Sequence, residues 1–512
     1  MIRSNEASHT FAAAPKDSHS LLKSFVGLLA LTFLAFLVLG YHPGLEDDSF
    51  YLAAVKHDLN PTLFPHDADF FRVQFQATIF DHLIASSVKL LHLPLAWVVL
   101  CWQLLAIFFI LHGCLRIARR CFASAEAHWA AVALIGVLLS LPLPGIAINL
   151  ADQHLHPRNL ATAAILAAIV AVLDRRPWIA AILLAVAFSI HAIMAAFGIS
   201  FCLFLWWTLR PRSLQPVPVV AVLLLPLGWL FEPASSAWRQ AAATRGFYFL
   251  TRWHWYEWLG VFAPLALVYA LCYFLRRRND VEEHATLLSL SFALLYYGVF
   301  QTVVGIAIML PPSLERLRPF EPMRYLHLVY LLFFLLAGGL IGRWLLHRRL
   351  YRWLLVFVPL GAGMFYAQRE MYPASPHLEM PWSAPDNDWL EAFAWICGNT
   401  PPDALFALDP HYQTLPGEDY HGFRALAERS ALADYEKDGG MAARVPSLAP
   451  RWVKEVSALR GWTKFELDDL DRLRQEFGVN WVVFSRADRL YSQPGSLACP
   501  YENDAVKVCR LY

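Results

Sequence analysis

Three neighbouring carboxylates, Glu46-Asp47-Asp48, followed by Tyr51, are the residues of this chain best suited to chemistry. Adjacent carboxylates repel, and a like-charged neighbour raises the pKa of at least one of them. Such a cluster suits a bound cation, a positive ligand or a general base; the alternative is a solvated boundary that keeps a helix end in water. His66-Asp67-Ala68-Asp69 follows, and Asp152, His154, His156 and Arg158 form a second group. Asp48, Asp152 and His154 make a ligand set for one divalent ion, with oxygen ligands suiting Mg²⁺ or Mn²⁺ and imidazole admitting others. Against that stands a reading as interfacial polar residues facing lipid headgroups. Arg158, Arg318 and Arg324 carry forked guanidinium groups that match phosphate oxygens; pairing with Glu315 and Glu321 is the competing use of the last two. His191 reads as a helix cap or packed residue, and also as a further cavity candidate. Phe423-Arg424, Glu428-Arg429-Ser430 and Asp434-Tyr435-Glu436-Lys437 read as a solvated, salt-bridged face, with acceptor binding as the alternative.

The elements that must position these groups are mostly apolar. Of 512 residues, 57% are hydrophobic and 16% charged, too little polar surface for a soluble protein. The net charge of +1 supplies no basic surplus for nucleic acid. Apolar runs near Leu21–Gly40, Leu95–Leu115, Trp129–Leu143, Leu160–Leu173, Trp178–Ile190, Ala192–Trp207, Val217–Phe231, Leu259–Leu275, Ala285–Leu310, Leu326–Leu346 and Trp353–Ala367 predict a polytopic α-helical membrane protein of about eleven transmembrane helices. The basic clusters at 116–120, 175–176, 210–212, 276–278 and 347–349 share one face only if Trp178–Trp207 is a hairpin turning near His191. The positive-inside bias then makes that face cytoplasmic, together with the N-terminus, and puts an inner-membrane protein's acidic and histidine-rich loops outside. Within the first outer loop, 41–94, Phe75, Ile79, Leu83 and Leu90 share one face of an expected interfacial helix. Arg245, Arg252, His254 and Glu257 belong to a second.

The composition changes after residue 368. Prolines at 373, 376, 381 and 385 mark a linker, and residues 369–512 alternate helix and strand signals, predicting a small extracytoplasmic α/β domain. Strands are expected at Ala404–Leu408, Trp481–Phe484 and Val506–Leu511, and helices from about Asp386 to Cys397, Pro450–Leu459 and Glu466–Phe477. In an oxidising compartment, Cys499 and Cys509 can close a hairpin around Glu502-Asn503-Asp504.

The acidic pair followed by tyrosine, Asp47-Asp48-Ser49-Phe50-Tyr51, resembles the motif of the GT-C superfamily of membrane glycosyltransferases, which includes oligosaccharyltransferase catalytic subunits, protein O-mannosyltransferases and aminoarabinose transferases. A short N-terminus, a long first loop and a C-terminal domain are also similar. The resemblance implies a polyprenyl-phosphate-linked sugar as donor, an extracytoplasmic glycan, lipid or protein as acceptor, and inversion at the anomeric carbon. It also implies Asp47 as catalytic carboxylate, Asp48 as its partner or a metal ligand, and Arg324 or Arg318 as the holder of the lipid phosphate. The tail lacks the Trp-Trp-Asp acceptor motif, which argues against protein N-glycosylation. A lipid-linked substrate transporter and a non-catalytic glycan-recognition scaffold are the rival readings; few charges deep in the spans speak against the transporter.

Overall fold

The computed structural model describes residues 18–210, 234–277 and 284–511. Among them, six helices are long and apolar enough to cross a membrane: Leu21–Leu39, Leu95–Cys121, Trp255–Arg277, Ala285–Met309, Pro322–Leu346 and Leu350–Met371. Ala125–Val137, Pro157–Leu173, Pro177–Ile190 and Ala192–Thr208 are shorter apolar helices, and the expected span Val217–Phe231 lies outside the described residues. By length and composition, six of the described helices thus qualify as spans, and four more expected spans are present as shorter apolar helices. Pro177–Ile190, with 14 residues, rises only about 21 Å against a hydrocarbon core of about 30 Å. The last apolar helix has none of its hydropathic window buried, and Leu354, Leu355 and Val358 face outward, as lipid-facing residues do.

The helical hairpin at His191 is present. His191 is extended, at φ −153° and ψ 93°, between Pro177–Ile190 and Ala192–Thr208, and its Nδ1 accepts from Met194 N. A side-chain cap thus makes the turn that no glycine or proline marks. Arg175 donates to the Leu209 carbonyl, so both outer ends of the hairpin meet. At the same end Arg120 holds Asp174 through two bonds of 2.6 Å, Arg348 pairs with Glu126 and Arg343 meets His284.

The first loop departs from the expected single amphipathic helix. Asp69–Ala77 and Phe80–Leu91 are separate helices, because Ile79 N donates to Ser189 O at 2.9 Å and docks the chain on the end of the hairpin. The second expected interfacial helix is also replaced. Ser236–Ala243 is followed by 3₁₀ turns at Gly246–Tyr248 and Leu250–Arg252, and Arg245 Nη2 donates to Glu436 O in the tail.

The tail carries a five-stranded sheet of β1 (Leu405–Ala407), β2 (Ser430–Ala431), β3 (Trp481–Ser485), β4 (Ala498–Glu502) and β5 (Val506–Arg510), in the order β2-β1-β3-β5-β4. β1 pairs parallel with β2 and β3, whereas β5 is antiparallel to β3 and β4. Asn387 caps Asp388–Asn399 by accepting from Trp389 and Leu390, and Glu466 and Asp469 form a reciprocal capping box at Leu467–Phe477. Cys499 and Cys509 are disulfide-bonded.

Sheet and loops are not separate bodies. Tyr41 bridges Leu378, Leu45 bridges His421, and Arg424 reaches Asp67 of the first loop. The segment from Arg424 to Lys437, expected to be a solvated face, is instead clamped between sheet and loop.

Candidate active site

The Pro43-Gly44 turn presents the acidic cluster. Gly44 has φ +85°, and a Cβ there would meet Leu426 at 2.9 Å, so the turn requires glycine. Its N–H donates to Asp48 Oδ2 at 2.7 Å, which ties the turn to the first residue of the Asp48–Leu59 helix. Asp47 precedes that helix, where the positive end of the helix dipole favours a carboxylate.

The two aspartates differ. Asp48 is buried, and burial raises its carboxyl against the lowering effect of His154 and the Gly44 N–H. Asp47 keeps 32% of its side chain exposed, and Lys437 Nζ lies 3.0 Å from its Oδ1. The same ammonium lies 3.0 Å from Glu46 Oε2. Burial would raise the Asp47 carboxyl, but Lys437 and then His156 outweigh it and hold the group well below the usual carboxylate range. Asp47 is therefore ionised at neutral pH. His156 Nδ1 accepts from Arg158 N at 2.9 Å, so the neutral ring carries its proton on Nε2, 3.8 Å from Asp47 Oδ2. Burial first, then the Arg158 charge, lowers His156 to about 4 and keeps it neutral. Tyr51 packs edge-on against His156, with ring centroids 4.8 Å apart.

Cations line the other side. Arg158 Nη2 pairs with Asp152, while its Nε and Nη1 are buried without a partner. Arg324 pairs with Glu321, and Arg444 Nη2 donates to Glu321 Oε1 at 2.8 Å with its own Nε unpartnered. The charge of Asp47 reaches all three guanidinium groups. His191 stacks beside His156 at 6.2 Å.

Asp47, Asp48, Tyr51, Asp152, His154, Arg158, His191 and Arg324 are thus linked in one neighbourhood, with Glu46 at its rim. Arg318 is engaged elsewhere: its Nε donates to Met309 O and its guanidinium lies over Phe249. The acidic group at Asp67 joins Arg424 instead of this cluster.

The expected metal set fits poorly. His154 has both ring nitrogens buried and unpartnered, but Asp152 is already matched by Arg158 and Asp48 Oδ2 accepts from Gly44 N. Among the described residues, the set whose donor atoms all approach within 4.8 Å of one another is His42, Glu379 and His421, not Asp48, Asp152 and His154.

Two residues join the cluster from the tail: Lys437, read from sequence as part of a solvated face with acceptor binding as the alternative, and Arg444, which was not singled out. Their helix, Lys437–Arg444, contains Gly439-Gly440, poor helix formers. A Cβ at Gly440 would fall 2.1 Å from Arg245 Nη2. The glycine pair was the available signal that this helix is pressed against a neighbour.

No known family's sequence profile matches the chain, and no curated protein sequence does. Among solved structures, the chain is similar to the oligosaccharyltransferase AglB of the archaeon Archaeoglobus fulgidus, determined in complex with an inhibitory peptide and a dolichol-phosphate. The identity is 12% and the TM-score 0.50, over 91% of this chain and 70% of that one. The apo form of the Archaeoglobus fulgidus oligosaccharyltransferase aligns at 12% identity and TM-score 0.46, over 90% of this chain and 69% of that one. At this identity the likeness establishes the fold alone: the chain shares the fold of that oligosaccharyltransferase.

Proposed function

We propose that the protein is a membrane glycosyltransferase that moves a sugar from a polyprenyl-phosphate carrier to a hydroxyl-bearing glycan, lipid or protein on the extracytoplasmic side. The observation that carries this reading is a partly exposed, ionised Asp47 in the same cluster as Arg158 and Arg444, which bury guanidinium donors that lack acceptors. A buried unpaired donor costs roughly 1–3 kcal/mol, more when charged, and a lipid phosphate supplies the missing oxygens. Arg158, Arg444 and Arg324 would hold the phosphate, and its charge on leaving would be stabilised by groups already in position.

In this mechanism Asp47 orients the acceptor hydroxyl and accepts its proton as the oxygen attacks the anomeric carbon, opposite the departing phosphate. The reaction inverts the configuration. A low carboxyl pKa makes Asp47 a weak base, so proton transfer comes late, once the forming C–O bond has acidified the hydroxyl. Lys437 fixes the carboxylate at 3.0 Å, and the neutral His156 ring stands beside it, with Nε2 3.8 Å from Oδ2. The N-terminus lies in the cytoplasm and the tail outside, in keeping with the basic clusters gathered at the opposite end of the helices.

Purified protein incubated with labelled polyprenyl-phosphate sugars is the test. Transfer or release that depends on Asp47 supports the enzyme. Flux across proteoliposomes without cleavage, or binding alone, overturns it.

A further inference from the structure

Beyond the pocket, the tail and the first loop meet at a second cluster. Tyr41 N donates to His377 O and Glu379 N to Tyr41 O, at 3.0 and 2.8 Å, while Glu46 N donates to Tyr420 O and Gly422 N to Gly44 O, at 2.8 Å each. The segment 41–46 is thus flanked by the linker on one side and by residues 420–422 on the other. Between these strips three side chains converge. His42 Nδ1 lies 2.7 Å from Glu379 Oε1, and His421 Nε2 lies 3.1 and 3.3 Å from Glu379 Oε1 and Oε2. His42 is 1% exposed and His421 is fully buried.

The hydrogen-bond inventory of His421 leaves a contradiction that a cation resolves. Its Nδ1 lies 3.0 Å from the Glu418 carbonyl oxygen; a carbonyl only accepts, so Nδ1 carries a proton. The neutral ring then aims the lone pair of Nε2 at the Glu379 carboxylate, which also only accepts. Two acceptors at this distance need a proton or a metal cation between them. Two imidazoles and a carboxylate are the donor set of open zinc sites. A cavity of about 250 Å³, lined by Tyr41, Glu379, Met380 and Leu426 among others, adjoins the Glu379 residue and has room for water.

We propose that His42, Glu379 and His421 bind a divalent transition-metal ion of the zinc class, which clasps the tail to the loop that carries Asp47 and Asp48. Removal of the ion would loosen the strips that hold Glu46 and Gly44, and with them the acidic cluster. This site is separate from the sugar-transfer reading and is tested without substrate.

Full-length protein in detergent, stripped with chelator and dialysed, is titrated with zinc against a chromophoric competitor, and with cobalt for its visible d–d bands. One equivalent of zinc and cobalt bands of a four-coordinate nitrogen–oxygen site are expected. His42→Gln and His421→Gln are expected to weaken zinc by at least about 100-fold, whereas Asp47→Asn and Asp152→Asn retain it. Unchanged affinity in both histidine variants overturns the site. Should those variants fail to give a monodisperse protein, the wild type decides: absence of a bound equivalent, or an octahedral cobalt spectrum, overturns it. Monodisperse wild type that ignores zinc, but whose tail becomes protease-sensitive as pH rises, assigns the positive charge to a ring proton and likewise overturns the metal.

Discussion

Two buried arginines face opposite ways in their chemistry. Arg424, 7% exposed, has a partner at every nitrogen: Nε donates to Asp67, Nη1 and Nη2 to Asp438 at 3.0 and 2.9 Å, and Nη2 also to Ala431 O. Arg158, 2% exposed, uses only Nη2, leaving Nε and Nη1 without acceptors. The first network joins the tail to the first loop and is complete by itself. The second is incomplete, and an exposed carboxylate stands beside it. The same residue type at the same depth therefore serves cohesion in one place and awaits a ligand in the other. What separates them is the number of acceptors within reach, not burial or charge.

The sharpest break in this comparison is Asp47→Asn. It removes the proton acceptor and is expected to lower the transfer rate by about 10² to 10⁴, while Tm stays near that of the wild type because the Lys437 pair is partly open to solvent. A near-normal rate would remove Asp47 from the mechanism. Arg424→Ala inverts the pattern. Stranding the buried Asp67 and Asp438 is expected to cost about 3–5 kcal/mol of stability, read as a large drop in the melting temperature of detergent-purified protein; an unchanged melting curve would show that the tail needs no such clamp. Arg158→Lys keeps the charge but loses the fork. The KM for the lipid-linked donor should rise about 10- to 100-fold, matching the roughly 1.5–3 kcal/mol of a hydrogen bond to a charged group, with kcat changed less. Equal KM values would place the phosphate elsewhere.

The smallest effect is on pH dependence. Asp47 is active when ionised, and its carboxyl is held well below the usual range with Lys437 as the largest lowering cause. The wild-type rate should therefore fall only in strong acid. In Lys437→Met that support is gone and burial is left less opposed, so the acid limb of the pH–rate profile moves to higher pH. A limb that stays put, or moves down, would separate Lys437 from Asp47 in function.

Much of this was legible because it depends on local pattern. The Asp388–Asn399 helix with its Asn387 cap, β3 and the β4–β5 hairpin with its disulfide follow from neighbours in sequence. So does the apolar character of the spans, since lipid solvation acts residue by residue. The acidic cluster was visible too, as adjacent carboxylates are costly wherever they fall. The break between Ala77 and Phe80 was not, because a carbonyl more than a hundred residues away, on Ser189, causes it. Nor was the burial of Lys437, a residue that by type belongs to the surface and is drawn in only by Glu46 and Asp47.

By itself, then, the sequence determined which segments are apolar, where the tail begins and which carboxylates stand together, because hydrophobicity and adjacency are properties of the chain. Which charges meet was decided only in three dimensions. Arg158 was left with unmatched donors, Arg424 was completed, and His42 was brought to Glu379 and His421 across more than three hundred residues. Pairing energies depend on distance and burial, and neither exists until the chain has folded.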